Sequence, residues 1–252
     1  MPRDMKEIEG QISFDFCLDS RNYVVQSNNL ISGRQALKLN SAKLIRAAIM
    51  QIAPEDTEVK PYSISIKDLS ELLGVPASNL YRDIENIKKD IWEHPVEIRI
   101  KKNGKTTHFT SMAWITRFDY VADAGVAIYL NPQLQPFLIN LREHYTQYTL
   151  QEVLAMKSVY AIRIFELMQS KIMSKVLPKN GTDIQISVQE IKECCSIEKK
   201  KSYDAFSNLK VKVIDKAVEE INRVTLYRVS YSYAKHGRAV AGIIFHVNMV
   251  YH

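Results

Sequence analysis

The sequence predicts an α+β fold built from one plan used twice. Ile64-Ser65-Ile66-Lys67-Asp68-Leu69 and Ile186-Ser187-Val188-Gln189-Glu190-Ile191 share one strand-to-helix pattern. Each is followed by a branched apolar residue, Val75 or Ile197, and then by a long helical pattern. Each helix leads into a hairpin-like stretch, Val96 to Phe118 in the first copy and Leu226 to His246 in the second. Strand, short helix, long helix and two-stranded ribbon in that order make a winged helix-turn-helix. The predicted fold class is therefore two tandem winged helix-turn-helix domains related by internal duplication.

Each element has its own signal. Residues 1–26 show no period and are expected as an arm. Leu37 to Ile52 reads as a helix with Leu37, Leu44, Ile45, Ala48, Ile49 and Ile52 on one face, stopped by Pro54. Tyr62 to Ile66 alternates as a strand, and Lys67 to Leu73 is a short helix ended by Gly74. After the turn at Pro76, Leu80, Ile84, Ile87 and Ile91 recur at helical spacing and form a core stripe, and Pro95 ends that helix. Val96 to Lys102 and Thr106 to Phe118 flank Asn103-Gly104, a strong hairpin signal. Val126 to Leu130 reads as a strand and Gln133 to Leu141 as a closing helix.

The second half repeats this order. Leu150 to Met173 reads as one long helix, Ile184 to Val188 as a strand and Gln189 to Cys195 as a short helix. Tyr203 to Val224 reads as the long helix, buried through Phe206, Leu209, Val213, Ala217 and Ile221. Leu226 to Tyr233 and Ala239 to Val247 close around Lys235-His236-Gly237-Arg238. The expected domains are an arm over 1–26, a first winged helix over 27–142 and a second over 143–252.

Composition bounds the chemistry. With 252 residues, 46% of them hydrophobic, the chain can hold one large core or two small ones. A net charge of +6 favours an anionic partner. Met1 to Gly10 is charged and lacks the apolar run of a signal peptide or membrane span, so the expected location is the cytoplasm. Cys17, Cys194 and Cys195 show no CxxC spacing; the adjacent pair stands where the first copy has Leu72 and Leu73 and reads as buried thiols.

No catalytic constellation emerges. His94, His108, His144, His236, His246 and His252 include no pair at metal-ligand spacing. A phosphate-cradling GxxxxGK fails because Arg99 stands where its first glycine would be needed before Gly104-Lys105. The expectation is a binding protein rather than an enzyme, with no cofactor and no metal.

Binding candidates lie where a winged helix meets a duplex. In the second copy they are Lys199, Lys200, Lys201, Ser202 and Tyr203, then Ser207, Asn208, Lys210 and Lys212 on the long helix, with Lys235 and Arg238 at the ribbon tip. Lysines neutralise phosphates without reading sequence, whereas Ser207 and Asn208 can reach base edges, asparagine being matched to adenine. A lysine run is also what a solvated loop looks like; here it abuts the predicted reading helix. In the first copy the candidates are Ser78, Asn79 and Arg82 on the helix and Lys101, Lys102 and Lys105 on the ribbon, where Arg99 adds charge. Charged ribbons also protect edge strands. The second copy is the expected sequence reader, and the first the backbone gripper.

At these residues the sequence resembles the iteron-binding plasmid replication initiators, over roughly 27–248. Asn28-Asn29-Leu30-Ile31 leads to Gln51-Ile52-Ala53-Pro54. Ser158-Val159-Tyr160-Ala161-Ile162-Arg163-Ile164-Phe165-Glu166-Leu167 is similar to the family's second-domain opening. Phe206, Leu209 and the run Val213-Ile214-Asp215-Lys216-Ala217-Val218-Glu219-Glu220-Ile221-Asn222 are similar to its second reading helix, and Lys235-His236-Gly237-Arg238 to its second wing. The chain departs from the family at Asp204, Ser207 and Val211, where relatives often carry basic residues. The resemblance implies monomeric binding to direct repeats at an origin, melting of nearby A·T-rich DNA, and recruitment of a host initiator and helicase. It also implies a homodimer, formed through the first domain, that represses its own gene at an inverted repeat. A dedicated winged-helix transcriptional regulator would show the same binding surfaces.

Overall fold

The structure is a computed structural model describing residues 18–102, 105–172, 178 and 180–250, with only the backbone described at 100–102 and 105–106. Most of the arm, Cys17, the Asn103-Gly104 turn and the side chains of Lys101, Lys102 and Lys105 therefore lie outside the described residues. No helix among them is long and apolar enough to cross a membrane.

The first copy runs β1 (Tyr23–Ser27), α1 (Asn28–Ser32), β2 (Arg34–Gln35), α2 (Leu39–Met50), β3 (Pro61–Ser65), α3 (Ile66–Leu73), a 3₁₀ turn over Ala77–Asn79, α4 (Leu80–Glu93) and the ribbon β4 (Val96–Lys102) and β5 (Lys105–Met112). The second runs β8 (Tyr145–Thr149), α5 (Leu150–Leu154), α6 (Val159–Lys171), β9 (Thr182–Ser187), α7 (Val188–Cys194), a reading helix between Phe206 and Val224, and the ribbon β10 (Tyr227–His236) and β11 (Ala239–Met249). Between them the first copy inserts a second hairpin, β6 (Ile115–Val121) and β7 (Gly125–Leu130). That insertion separates the copies in detail: β3 pairs with β7, whereas its counterpart β9 pairs with the ribbon strand β11.

The repeated sequence signals produce repeated local structure. Ser65 Oγ accepts from Asp68 N at 3.1 Å and Ser187 Oγ from Glu190 N at 3.0 Å, so one serine N-cap starts each short helix. Gly74 ends the first at φ 68°; Ser196 takes the same left-handed position at φ 55°. Each start of α2 and α6 is then tied to its own reading helix. Asp90 Oδ2 accepts from Lys38 N at 2.8 Å, and Glu220 Oε2 accepts from Lys157 N at 2.7 Å and Ser158 N at 3.2 Å. Each carboxylate directly precedes a buried isoleucine, Ile91 or Ile221, and places negative charge at a helix N-terminus.

The copies share one core. β1 pairs antiparallel with β8 in a register that sets Val25 opposite Gln147, its own counterpart in the other copy. A pseudo-twofold axis passes between them. Ser41 through Met50 in α2 and Ala161 through Met168 in α6 are buried on every face. The one-sided stripe expected for Leu37 to Ile52 is thus corrected: the helix packs against its own copy and against the other one. Lys43 Nζ donates to Leu154 O at the end of α5 (2.7 Å), and Arg163 Nη2 donates to Gly33 O just beyond α1 (2.9 Å) and to Ile31 O. The two cations thus cap each other's copy reciprocally.

Other expectations are corrected too. Thr106 to Phe118 is two strands in different sheets; Trp114, fully buried, lies between them, and Asn131 Nδ2 holds the Ala113 carbonyl at 3.0 Å. Leu150 to Met173 breaks between α5 and α6, where Glu220 takes the amides of Lys157 and Ser158 and Ser158 caps the new helix. Gln133 to Leu141 is a 3₁₀ turn over Pro132–Phe137, since Pro136 lacks the N–H an α-helix needs. Cys194 and Cys195 are buried free thiols, and burial pushes both up in pKa.

Candidate nucleic-acid interface

The reading helix of the second copy is not one continuous α-helix. A 3₁₀ turn covers Lys201–Tyr203, Ala205 is extended, and α8 (Phe206–Leu209) follows. A π segment over Lys210–Ile214 then leads into α9 (Asp215–Val224). The expected start at Tyr203 is therefore corrected to Phe206. The π segment has a plain origin in sequence. The buried stripe of α4 is Leu80, Ile84, Ile87 and Ile91, while the second copy uses Leu209, Val213, Ala217 and Ile221. The second stripe holds one more residue between its middle members, and a π turn absorbs one extra residue while keeping both ends facing the core. With the stripes matched, Ser78-Asn79-Leu80 and Ser207-Asn208-Leu209 coincide as identical triplets, and Arg82 coincides with Val211.

The second ribbon is anchored to this helix. Phe206 meets the Tyr233 ring edge-on at 5.5 Å, and Tyr231 lies 5.8 Å from Tyr233. Tyr231 donates its hydroxyl to Asp215 Oδ1, and Lys210 Nζ lies 2.7 Å from Asp215 Oδ2. Burial alone would raise the Asp215 pKa; Lys210 and Tyr231 outweigh it and hold the carboxyl below its ordinary value. Of these partners Phe206 was expected in the buried stripe, Asp215 in the family run and Lys210 at the duplex; the pairing of Tyr231 and Tyr233 with the helix was not foreseen. Tyrosines alternating along a strand were the available signal.

The lysine run is held by the other copy. Glu198, immediately before it, lies 2.9 Å from Arg34 Nε and 3.8 Å from Arg99 Nη2. Arg99 also pairs with Glu97. The cation expected to project from the first ribbon is instead a structural tie that fixes Lys199, Lys200 and Lys201 relative to β4. A groove of about 380 Å³ at this junction is lined by Arg34, Lys38, Tyr160, Arg163, Ser196 and Lys200.

The structure sorts the expected site residues. Lys199, Lys200, Lys201, Ser202, Ser207 and Lys212 are exposed around the start of the reading helix, and Lys235 and Arg238 are exposed at the ribbon tip, where Gly237 turns at φ 61°. Ser78, Asn79 and Arg82 are exposed at the matching place in the first copy. Three residues are less open to solvent than the sequence suggests. Tyr203 is 9% exposed, packs edge-on against Tyr160 at 6.4 Å and closes the turn. Asn208 is half-buried and donates through Nδ2 to Ser202 O at 2.8 Å, holding the turn before the helix. Lys210 is engaged by Asp215. Val211, named from sequence only as a departure from the family pattern, is 55% exposed and lies outside the buried stripe.

Residues 23–169 match the family described as Initiator Replication protein, WH1, and residues 187–247 match Initiator Rep protein, WH2. A crystal structure of Pi initiator protein in complex with iteron DNA is 19% identical, covering 92% of this chain and 99% of that one with a TM-score of 0.73, which shows the shared fold. Domains 2 and 3 of RctB are 10% identical, covering 96% of this chain and 95% of that one at a TM-score of 0.45. On its two matched winged-helix domains, the chain belongs to the initiator replication (Rep) protein family.

Proposed function

We propose that this replication initiator binds directly repeated duplex sites at a plasmid origin, laying both winged helices on one stretch of DNA. The observation that carries the reading is the shared buried core, which fixes two exposed, matching helix starts in one rigid relationship. The Pi initiator, built on the same fold, was crystallised with iteron DNA, and that supports the same class of target here.

In this reading Lys199, Lys200 and Lys201 neutralise phosphates beside the groove entered by α8, with Ser207 at base edges. Ser78, Asn79 and Arg82 approach the neighbouring groove, while Lys235 and Arg238 follow the backbone from the ribbon tip. The protein acts by binding rather than catalysis. A homodimer that represses its own gene, and contacts with a host initiator and helicase, complete the proposal on the strength of family membership.

The test is transformation with the gene and its flanking DNA on an otherwise originless plasmid. Maintenance that depends on repeats beside the gene is expected. Failure to maintain the plasmid, with intact repression of the gene's own promoter, would instead identify a dedicated regulator. Incubating the protein with supercoiled origin DNA and Mg²⁺ should leave it unnicked.

A further inference from the structure

We propose that Val211 reads a thymine methyl group in the major groove. The inference rests on the DNA-binding reading above and specifies what the second reading helix selects. Val211 is a branched apolar residue 55% exposed on a helix whose buried stripe is complete without it, through Leu209, Val213, Ala217 and Ile221. It stands one turn beyond exposed Ser207 and beside exposed Lys212, in the part of the helix that a helix-turn-helix brings to the bases.

The first copy sharpens the contrast. Arg82 occupies the matching position and is exposed, so it can meet a phosphate or the O6 and N7 of guanine. Valine can do neither. Among the groups presented in the major groove, the thymine C5-methyl is the apolar one. The π segment over Lys210–Ile214 contains Val211 and lets Val213 and Ala217 both stay buried despite the extra residue. The valine is thereby presented outward on a helix that remains anchored to its core.

The experiment uses the full chain and a duplex enriched from a random-sequence pool by the wild-type protein. Each thymine is replaced in turn by deoxyuridine, which removes only the methyl, and affinity is measured by fluorescence anisotropy. One position should weaken wild-type binding roughly 3- to 5-fold, the scale of one buried methyl group. Val211→Ala should bind the parent duplex correspondingly less well and lose all sensitivity to that replacement, while Lys212→Ala keeps it. An unchanged deoxyuridine profile in Val211→Ala, or a wild-type protein indifferent to every replacement, overturns the inference and leaves DNA binding standing. Enrichment of no sequence at all would instead overturn the DNA-binding reading beneath it.

Discussion

Arg46 and Glu166 occupy matching positions in the two copies and pair with each other across the pseudo-twofold axis. Arg46 Nε lies 2.9 Å from Glu166 Oε1 and Nη2 lies 3.0 Å from Oε2, with both side chains buried. Arg163 Nη1 donates to Glu166 Oε2 at 2.6 Å, Gln26 Nε2 donates to Oε1 at 3.0 Å, and Tyr148 donates to the same oxygen. Gln35 Oε1 accepts from Arg46 Nη2 at 2.7 Å. A duplicated helix here turned one of its two facing copies into the cation and the other into the anion. Such a pair specifies how the halves meet, because misalignment would strand charge in the core.

Removing one partner is therefore costly. Glu166→Ala leaves two buried guanidiniums facing each other and should lower unfolding free energy by about 3–5 kcal/mol. Arg46→Met, which fills similar space without charge, also leaves Glu166 with Arg163 and should cost less. Urea denaturation of the three proteins measures this. Equal stability for Glu166→Ala and wild type would show that the network is dispensable.

The same carboxylate sets an acid response. Burial alone would raise its pKa, but Arg46 and Arg163 overcome that and hold it at about 2, against an ordinary 4.5. A folded-state pKa below the unfolded one means that the contribution is full above about 4.5 and is lost as pH falls toward about 2. Stability should drop through that window in wild type and drop less in Glu166→Gln. Parallel acid-unfolding curves by circular dichroism would contradict this assignment.

Lys200→Ala with Lys201→Ala should weaken binding to cognate and random duplexes alike and flatten the dependence of log K on log salt by about 1–2 units. Both side chains are exposed, so folding should be unaffected. Titration at several salt concentrations checks the slope. A loss confined to the cognate site would place these lysines at bases.

Asn208→Ala now carries a different expectation from the one its sequence suggests. Its amide holds the Ser202 carbonyl, so its loss should loosen the lysine-bearing turn and reduce binding on every duplex, by about 0.5–1.5 kcal/mol. A defect seen on cognate DNA alone would restore it as a base reader.

Gly181→Ala offers a purely steric check. The glycine sits at φ 75°, and an added Cβ would fall 2.1 Å from Asn248 Oδ1 and 2.6 Å from the Val247 carbonyl. The substitution should destabilise the second domain by more than about 1 kcal/mol. Gly237→Ala, also at positive φ but in open space, should cost less; thermal melts that rank the two in the opposite order would contradict this geometry.

The duplicated plan was legible because periodicity and capping are local. Gly74 announces a helix end and Leu80 through Ile91 a buried face, whereas Ser65 and Ser187, read as strand residues, proved to be the caps of the short helices. What lay beyond reach depends on contacts between distant segments. The break before Ser158 is stabilised by Glu220, and the residue before the lysine run, Glu198, is held by Arg34 and Arg99. Tyr203 and Lys210 looked available because exposure is a tertiary property. The π segment is an intermediate case: the spacing of Leu209, Val213, Ala217 and Ile221 contained it, yet it became readable only when set beside the first copy.

Hydroxyl-radical footprinting of the full chain on DNA flanking its gene tests most directly whether two winged helices grip one duplex. Protection should recur on directly repeated sites, each about two helical turns long, with Lys200→Ala plus Lys201→Ala weakening every footprint. Protection confined to a single turn, or uniform protection without a preferred sequence, would contradict it.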